Sequence, residues 1–213
     1  MGEQFLVYGE RGWGNVAVEA ALTLIGAPYR VVDTGATGPE RPPATITAQV
    51  PVLQLPSGEL MTESAAILIW LADAYPAAGL APVIDSPLRP AFLRWMTFVS
   101  ASIYALYWVM DVPARVADGP EAHAQIKARL AARIVRGWAL METSITPGTW
   151  LLGEEISVLD LYVTVVSRWT PRKALHTTIA PRIGAVVRRV EAEPRLAALW
   201  TERFPLGLDP DEG

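Results

Sequence analysis

The sequence predicts an α/β domain followed by an all-α domain. Three observations carry this reading. Within the first 33 residues the apolar period switches from two to about four and back again. Between Ala77 and Pro87 the residues Gly79, Pro82 and Pro87 interrupt every pattern, and beyond them only helical periodicity is found. The boundaries so drawn are residues 1–78 for the first domain, 79–87 for a linker and 88–213 for the helical domain.

The elements follow in order. Gln4 to Tyr8 alternates, with Phe5 and Val7 opposite Leu6 and Tyr8, which is a strand. Val16, Ala20 and Leu24 then recur every four residues, Gly26 supplies a left-handed stop and Pro28 follows, so Asn15 to Ile25 is a helix with Asn15 as its expected N-cap. Tyr29 to Asp33 is a second strand and completes a βαβ unit. Val52 to Leu55, the Pro56-Ser57-Gly58 turn and Leu60 to Thr62 read as a hairpin, and Ser64 to Tyr75 as a helix with Ile67, Leu71 and Tyr75 on one stripe. The order βαβ, then ββα, is that of a thioredoxin-like domain.

In the second domain Leu88, Phe92, Trp95, Val99, Ile103, Leu106 and Met110 form one apolar seam, while Ala101, Tyr104 and Trp108 form another face of the same helix. A helix apolar on two faces is buried on two sides, against its own domain and against a cleft or a second subunit. A homodimer is the expected assembly. Glu121 to Thr143 is the next helix, and Ser157 with Asp160 makes a capping box ahead of Leu161 to Val166. Two shorter helices start near Pro181 and Pro194.

Composition narrows the function. There is no cysteine, so disulfides, thiolate metal sites and a cysteine nucleophile are excluded. Two histidines make a multi-histidine metal site a poor fit, and no metal is expected. A net charge of −4 without a Lys/Arg cluster argues against a nucleic-acid surface. No apolar run approaches the roughly 18 residues of a membrane span, and the N-terminus lacks the pattern of a signal peptide. A cytoplasmic protein is expected. Residues 1–80 carry three arginines against eight carboxylates, net −5, leaving +1 for the rest. An anion bound by the first domain must therefore rely on main-chain amides, helix ends or arginines from the second.

Two motifs point to a ligand. Pro51 offers no N–H, so a strand entered through Val50-Pro51 leaves the Val50 main chain for pairing outside the sheet. A helix opening on Glu63-Ser64 aims unpaired N–H groups and its positive dipole end at the space beside it, where an anionic group is held. Together with Gln49 they describe a small clamp for a peptide-like molecule. The residues Gln49-Val50-Pro51, Glu63-Ser64 and the phrase from Trp150 to Tyr162 resemble the glutathione S-transferase family, and the resemblance covers nearly the whole chain.

The resemblance implies that the first domain binds glutathione and that the helical domain supplies an acceptor pocket. Val50, before a cis-proline at Pro51, would pair with the cysteinyl amide. Glu63 would meet the α-amino group and Ser64 the carboxylate of the γ-glutamyl end. Gln49 and Arg41 would hold the glycine carboxylate, in a Tyr29–Val50 segment shorter than the family's. The catalytic turn, Glu10 to Asn15, departs from the family in having neither serine nor cysteine. Asn15, at the head of the first helix, is the first candidate for the donor that stabilises the thiolate, and Tyr8 the second. Trp13 would wall the thiol. Tyr104 and Trp108, with Thr97, would line the pocket for a hydrophobic electrophile. The implied activity is conjugation of the glutathione thiolate, glutathione being the co-substrate. The alternatives are a glutathione-dependent isomerase or reductive lyase, and a non-catalytic binding protein of the same fold.

Overall fold

The computed structural model describes residues 4–34 and 49–205. Its N-terminal domain is a four-stranded sheet of order β2-β1-β3-β4, made of β1 (Phe5–Gly9), β2 (Tyr29–Asp33), β3 (Val52–Gln54) and β4 (Leu60–Met61). β1 lies parallel to β2, as a crossover through helix α1 (Asn15–Ile25) requires, and antiparallel to β3, which pairs back with β4. Strand period decides what each face meets. Phe5, Val7 and Leu53 join Val16, Leu22, Ile67, Leu68 and Leu71 of α1 and α2 (Ser64–Ala74) in the main core. Tyr8, Val32 and Val52 turn to the opposite face, with Leu6 and Leu60.

The helical domain runs through α3 (Arg89–Phe98), a π-helical stretch (Val99–Tyr104), α4 (Ala105–Asp111), α5 (Pro120–Ser144), α6 (Val158–Ser167), α7 (Arg172–Ala174), a second π-helical stretch (Leu175–Ile179), α8 (Pro181–Glu191) and α9 (Ala197–Arg203). The periodicity predicts one regular helix from Leu88 to Met110, and the π stretch corrects it. Its wider turns delay the inward face by about one residue. Tyr107 is thereby buried, whereas Leu106 and Met110, expected on the seam, are half-buried.

All ten residues of α6 are buried, and its start is fastened in two ways. Asp160 accepts from the Ser157 amide at 2.8 Å, the Ser157 hydroxyl at 2.7 Å and the Leu151 amide at 2.8 Å. The Val158 amide donates to the Leu80 carbonyl at 2.8 Å, which ties the connection between the domains to the head of α6. Arg89 adds a bidentate pair with Asp73 of α2, at 2.7 and 2.6 Å. No helix among the described residues is long and apolar enough to cross a membrane.

Candidate functional site

The β1–α1 turn is held from three sides. Gly12 donates its amide to the Arg203 carbonyl at 2.8 Å and accepts from the Trp169 indole at 2.9 Å, so α9 and the segment after α6 both clamp it. Inside the turn Asn15 folds back over Gly9, where a Cβ would stand 2.1 Å from the Asn15 side chain. That close approach lets the Asn15 oxygen accept from the Glu10 amide at 3.0 Å. Its amide nitrogen donates to Glu19 at 2.6 Å, and Glu19 in turn pairs with Arg203 at 2.9 and 3.3 Å. Burial pushes the Glu19 carboxyl up from its ordinary value, against the pull of Arg203 and Asn15.

This corrects two expectations. The N-cap of α1 is Gly14, and Asn15 is the first residue of the helix, with no side-chain cap bond at the end. The Asn15 side chain is fully buried and turned toward Glu19, so it holds the turn's shape and does not offer a donor to the space outside. Tyr8 is also turned away. The strand alternation puts it on the sheet face opposite α1, where its hydroxyl donates to Gln54 at 3.1 Å. Trp13 stands at the tip of the turn, 50% exposed.

The second part of the site is the head of α2. Glu63, its N-cap, has φ 66°, the one described non-glycine residue with positive φ, and no side chain caps the helix there. An exposed acidic residue held in that region is a local strain of the kind that accompanies binding sites. Ser64 is buried and shares a 2.9 Å hydrogen bond with the Tyr162 hydroxyl of α6. Burial lifts Tyr162 to about 12, so it stays protonated, and either hydroxyl of the pair can donate to the other. Nearby, the Val50–Pro51 bond is cis, as expected, and the β1–β3 ladder ends at the Tyr8–Val52 pair, short of Val50. Gln49 is exposed and Arg41 lies outside the described residues.

The helical domain contributes a wall of aromatics. The Tyr104 ring lies 4.9 Å from that of Trp169 and 6.1 Å from that of Tyr162. Trp108, one turn beyond Tyr104, is 43% exposed and covered on one side by the Arg115 guanidinium at 4.5 Å. Thr97 is exposed on α3. Tyr162, Trp169, Glu19 and Arg203 are the residues that sequence reasoning missed. Tyr162 ends the phrase that begins at Trp150, so a signal for it existed. Trp169 reaches Gly12 across 157 positions and Arg203 reaches Glu19 across 184, and no local pattern marks either.

Comparison with known proteins shows the family. Residues 17–74 match the family model for the glutathione S-transferase N-terminal domain. The chain is 30% identical over 196 residues to the uncharacterized GST-like protein YncG of Escherichia coli K12, covering 89% of this chain and 94% of that one. It is 26% identical over 194 residues to maleylacetoacetate isomerase of Pseudomonas aeruginosa, with 86% and 89% covered. A glutathione transferase homologue from Sulfitobacter, solved with bound glutathione, has the same fold with a TM-score of 0.84 at 23% identity, over 94% of this chain and 98% of that one. By its sequence relatives and by the arrangement of its two domains, this chain belongs to the glutathione S-transferase family.

Proposed function

We propose that the chain is a glutathione transferase that joins the glutathione thiolate to small hydrophobic electrophiles. The observation that carries this is the head of α2. There Glu63 is exposed in a strained backbone, Ser64 is backed by Tyr162, and the helix start has no side-chain cap. The γ-glutamyl end of glutathione carries an ammonium and a carboxylate side by side, which suits an acidic side chain next to a hydroxyl and a helix N-terminus. In the reaction the sulfur forms a bond to the electrophilic carbon while the electron pair leaves with a departing group or moves into a conjugated system. Trp13 and Trp108, both partly open, support an apolar acceptor.

The test is binding. Wild type should take up glutathione in calorimetry, and Ser64→Ala should weaken it by about 1–3 kcal/mol, the range for losing a hydrogen bond to a charged group. Absence of wild-type binding sinks the proposal. Binding that leaves the thiol pKa at its solution value would make the chain a binding protein. The relation to maleylacetoacetate isomerase favours isomerisation as the second reading. An assay with glutathione-saturated protein, following double-bond isomerisation against adduct formation, separates the two.

We also propose a homodimer, on the exposed apolar residues Val83, Ile84, Leu88 and Leu93 along the start of α3 and the segment before it. Light scattering at micromolar concentration should give twice the chain mass, and a monomer mass would reject it. The cytoplasm, where glutathione keeps thiols reduced, is the compartment this function requires.

A further inference from the structure

A thiol of pKa about 8.5 needs a donor to become a thiolate near neutral pH. Neither of the two expected donors is free to serve, since Asn15 is engaged with Glu19 and Tyr8 of β1 with Gln54. A different hydroxyl is laid against the β1–α1 turn. A Cβ on Gly14 would stand 2.2 Å from the Tyr104 hydroxyl oxygen, 2.9 Å from Cζ and 3.0 Å from Cε1. Gly14 has φ −61° and ψ −20°, a backbone open to any residue, so glycine is needed here for the space that the phenol fills.

The ring is fixed on both sides. Trp169 lies 4.9 Å from it and is itself bonded to Gly12, and Tyr162 lies 6.1 Å from it and is bonded to Ser64. Tyr107 and Tyr162 spend their hydroxyls on Thr170 and Ser64, whereas the Tyr104 hydroxyl has no hydrogen-bond partner among the described residues. Burial, with the charge of Glu63 added, pushes its pKa up, so the phenol keeps its proton through the neutral range. Its neighbour Tyr162, which is bonded to Ser64, places it toward the head of α2.

We propose that Tyr104 is the catalytic donor to the glutathione sulfur, its hydroxyl standing against Gly14 at the N-terminus of α1. The assignment rests on the glutathione reading above and goes beyond the pocket-lining role expected for this residue. When the thiol ionises its proton passes to water, and Tyr104 keeps its own proton and shares it with the sulfur as a hydrogen bond. The dipole of the eleven-residue α1 favours the same negative charge.

The experiment measures calorimetric binding of glutathione and thiolate absorbance against pH on the full chain. Tyr104→Phe should bind glutathione within a few-fold of wild type while the pKa of the bound thiol rises by about one unit, which lowers the thiolate fraction roughly tenfold on the acid side. Gly14→Ala, which displaces the ring by its methyl group, should give a shift in the same direction. The double variant should shift little further than the larger single one, because both remove one interaction. Binding with an unchanged titration in either single variant overturns the assignment and leaves the glutathione reading intact. Failure of wild type to bind overturns the glutathione reading and the assignment with it.

Discussion

Arg203→Ala is expected to destabilise the chain by up to about 3 kcal/mol at pH 7, and by much less near pH 5. Among the described residues Arg203 is the one cation in hydrogen-bonding contact with Glu19, a buried carboxylate. Removing it leaves Glu19 with the Asn15 amide alone. The group then escapes its unpaired charge by taking a proton. For a carboxyl with an ordinary value of 4.5 that neutralisation takes at most about 3 kcal/mol at pH 7, at about 1.4 kcal/mol per unit, and the already raised wild-type value takes up part of it. The sign follows. Glu19 already has a raised pKa, and the variant raises it further, so the contribution of this group is intact below 4.5 and is lost as pH rises through the folded value. Denaturant midpoints at the two pH values measure it. A destabilisation that does not change with pH would mean that packing against Arg203, not charge, is what was lost. Glu19→Gln combined with Arg203→Met should recover most of the stability, since a neutral pair leaves no buried charge. The glutathione thiol titration should move in Arg203→Ala as well, because the same network shapes the turn from Glu10 to Asn15.

Much of the first domain was legible because its signals are local. The switch of apolar period marks β1, α1 and β2, the Pro56-Ser57-Gly58 turn marks the β3–β4 hairpin, and each lies where expected. The head of α2 was legible for the same reason: a dipeptide at the start of a helix. Asn15 shows where local reasoning stops. Asparagine ahead of an apolar run is a sound N-cap signal, but here a buried glutamate one turn later claims its side chain, and that glutamate is itself held by an arginine 184 positions further on. Tyr104 was read as a pocket residue from its helix face. Its contact with Gly14 could not be read, because a glycine in a turn has many possible reasons and only the fold shows which one applies. The π stretch that ends at Tyr104 carries no mark in composition either, and it shifts the whole inward face that follows.

Asp160→Ala should cost about 3 kcal/mol, and its pH dependence separates two contributions at the head of α6. The carboxyl is almost fully buried and accepts from two main-chain amides and one hydroxyl. Alanine strands these donors in a dry site, each loss being worth about 1–3 kcal/mol, less what relaxation and the relief of a buried charge return. Burial outweighs the hydrogen bonds in setting the acid's strength, so its pKa is raised to about 6 from 3.8. A carboxyl raised in this way contributes stability that is fully present below 3.8 and is lost as pH rises through about 6. The advantage of wild type over alanine should therefore be larger near pH 4 than near pH 7, the reverse of what a salt bridge gives. Asp160→Asn should recover little, because its NH2 group points a donor at a donor. Denaturant unfolding of the three proteins across this range decides the matter. An advantage that grows with pH would show that the three hydrogen bonds favour the charged carboxylate by more than burial disfavours it, and the loop from Leu151 to Ser157 would then be held by that charge.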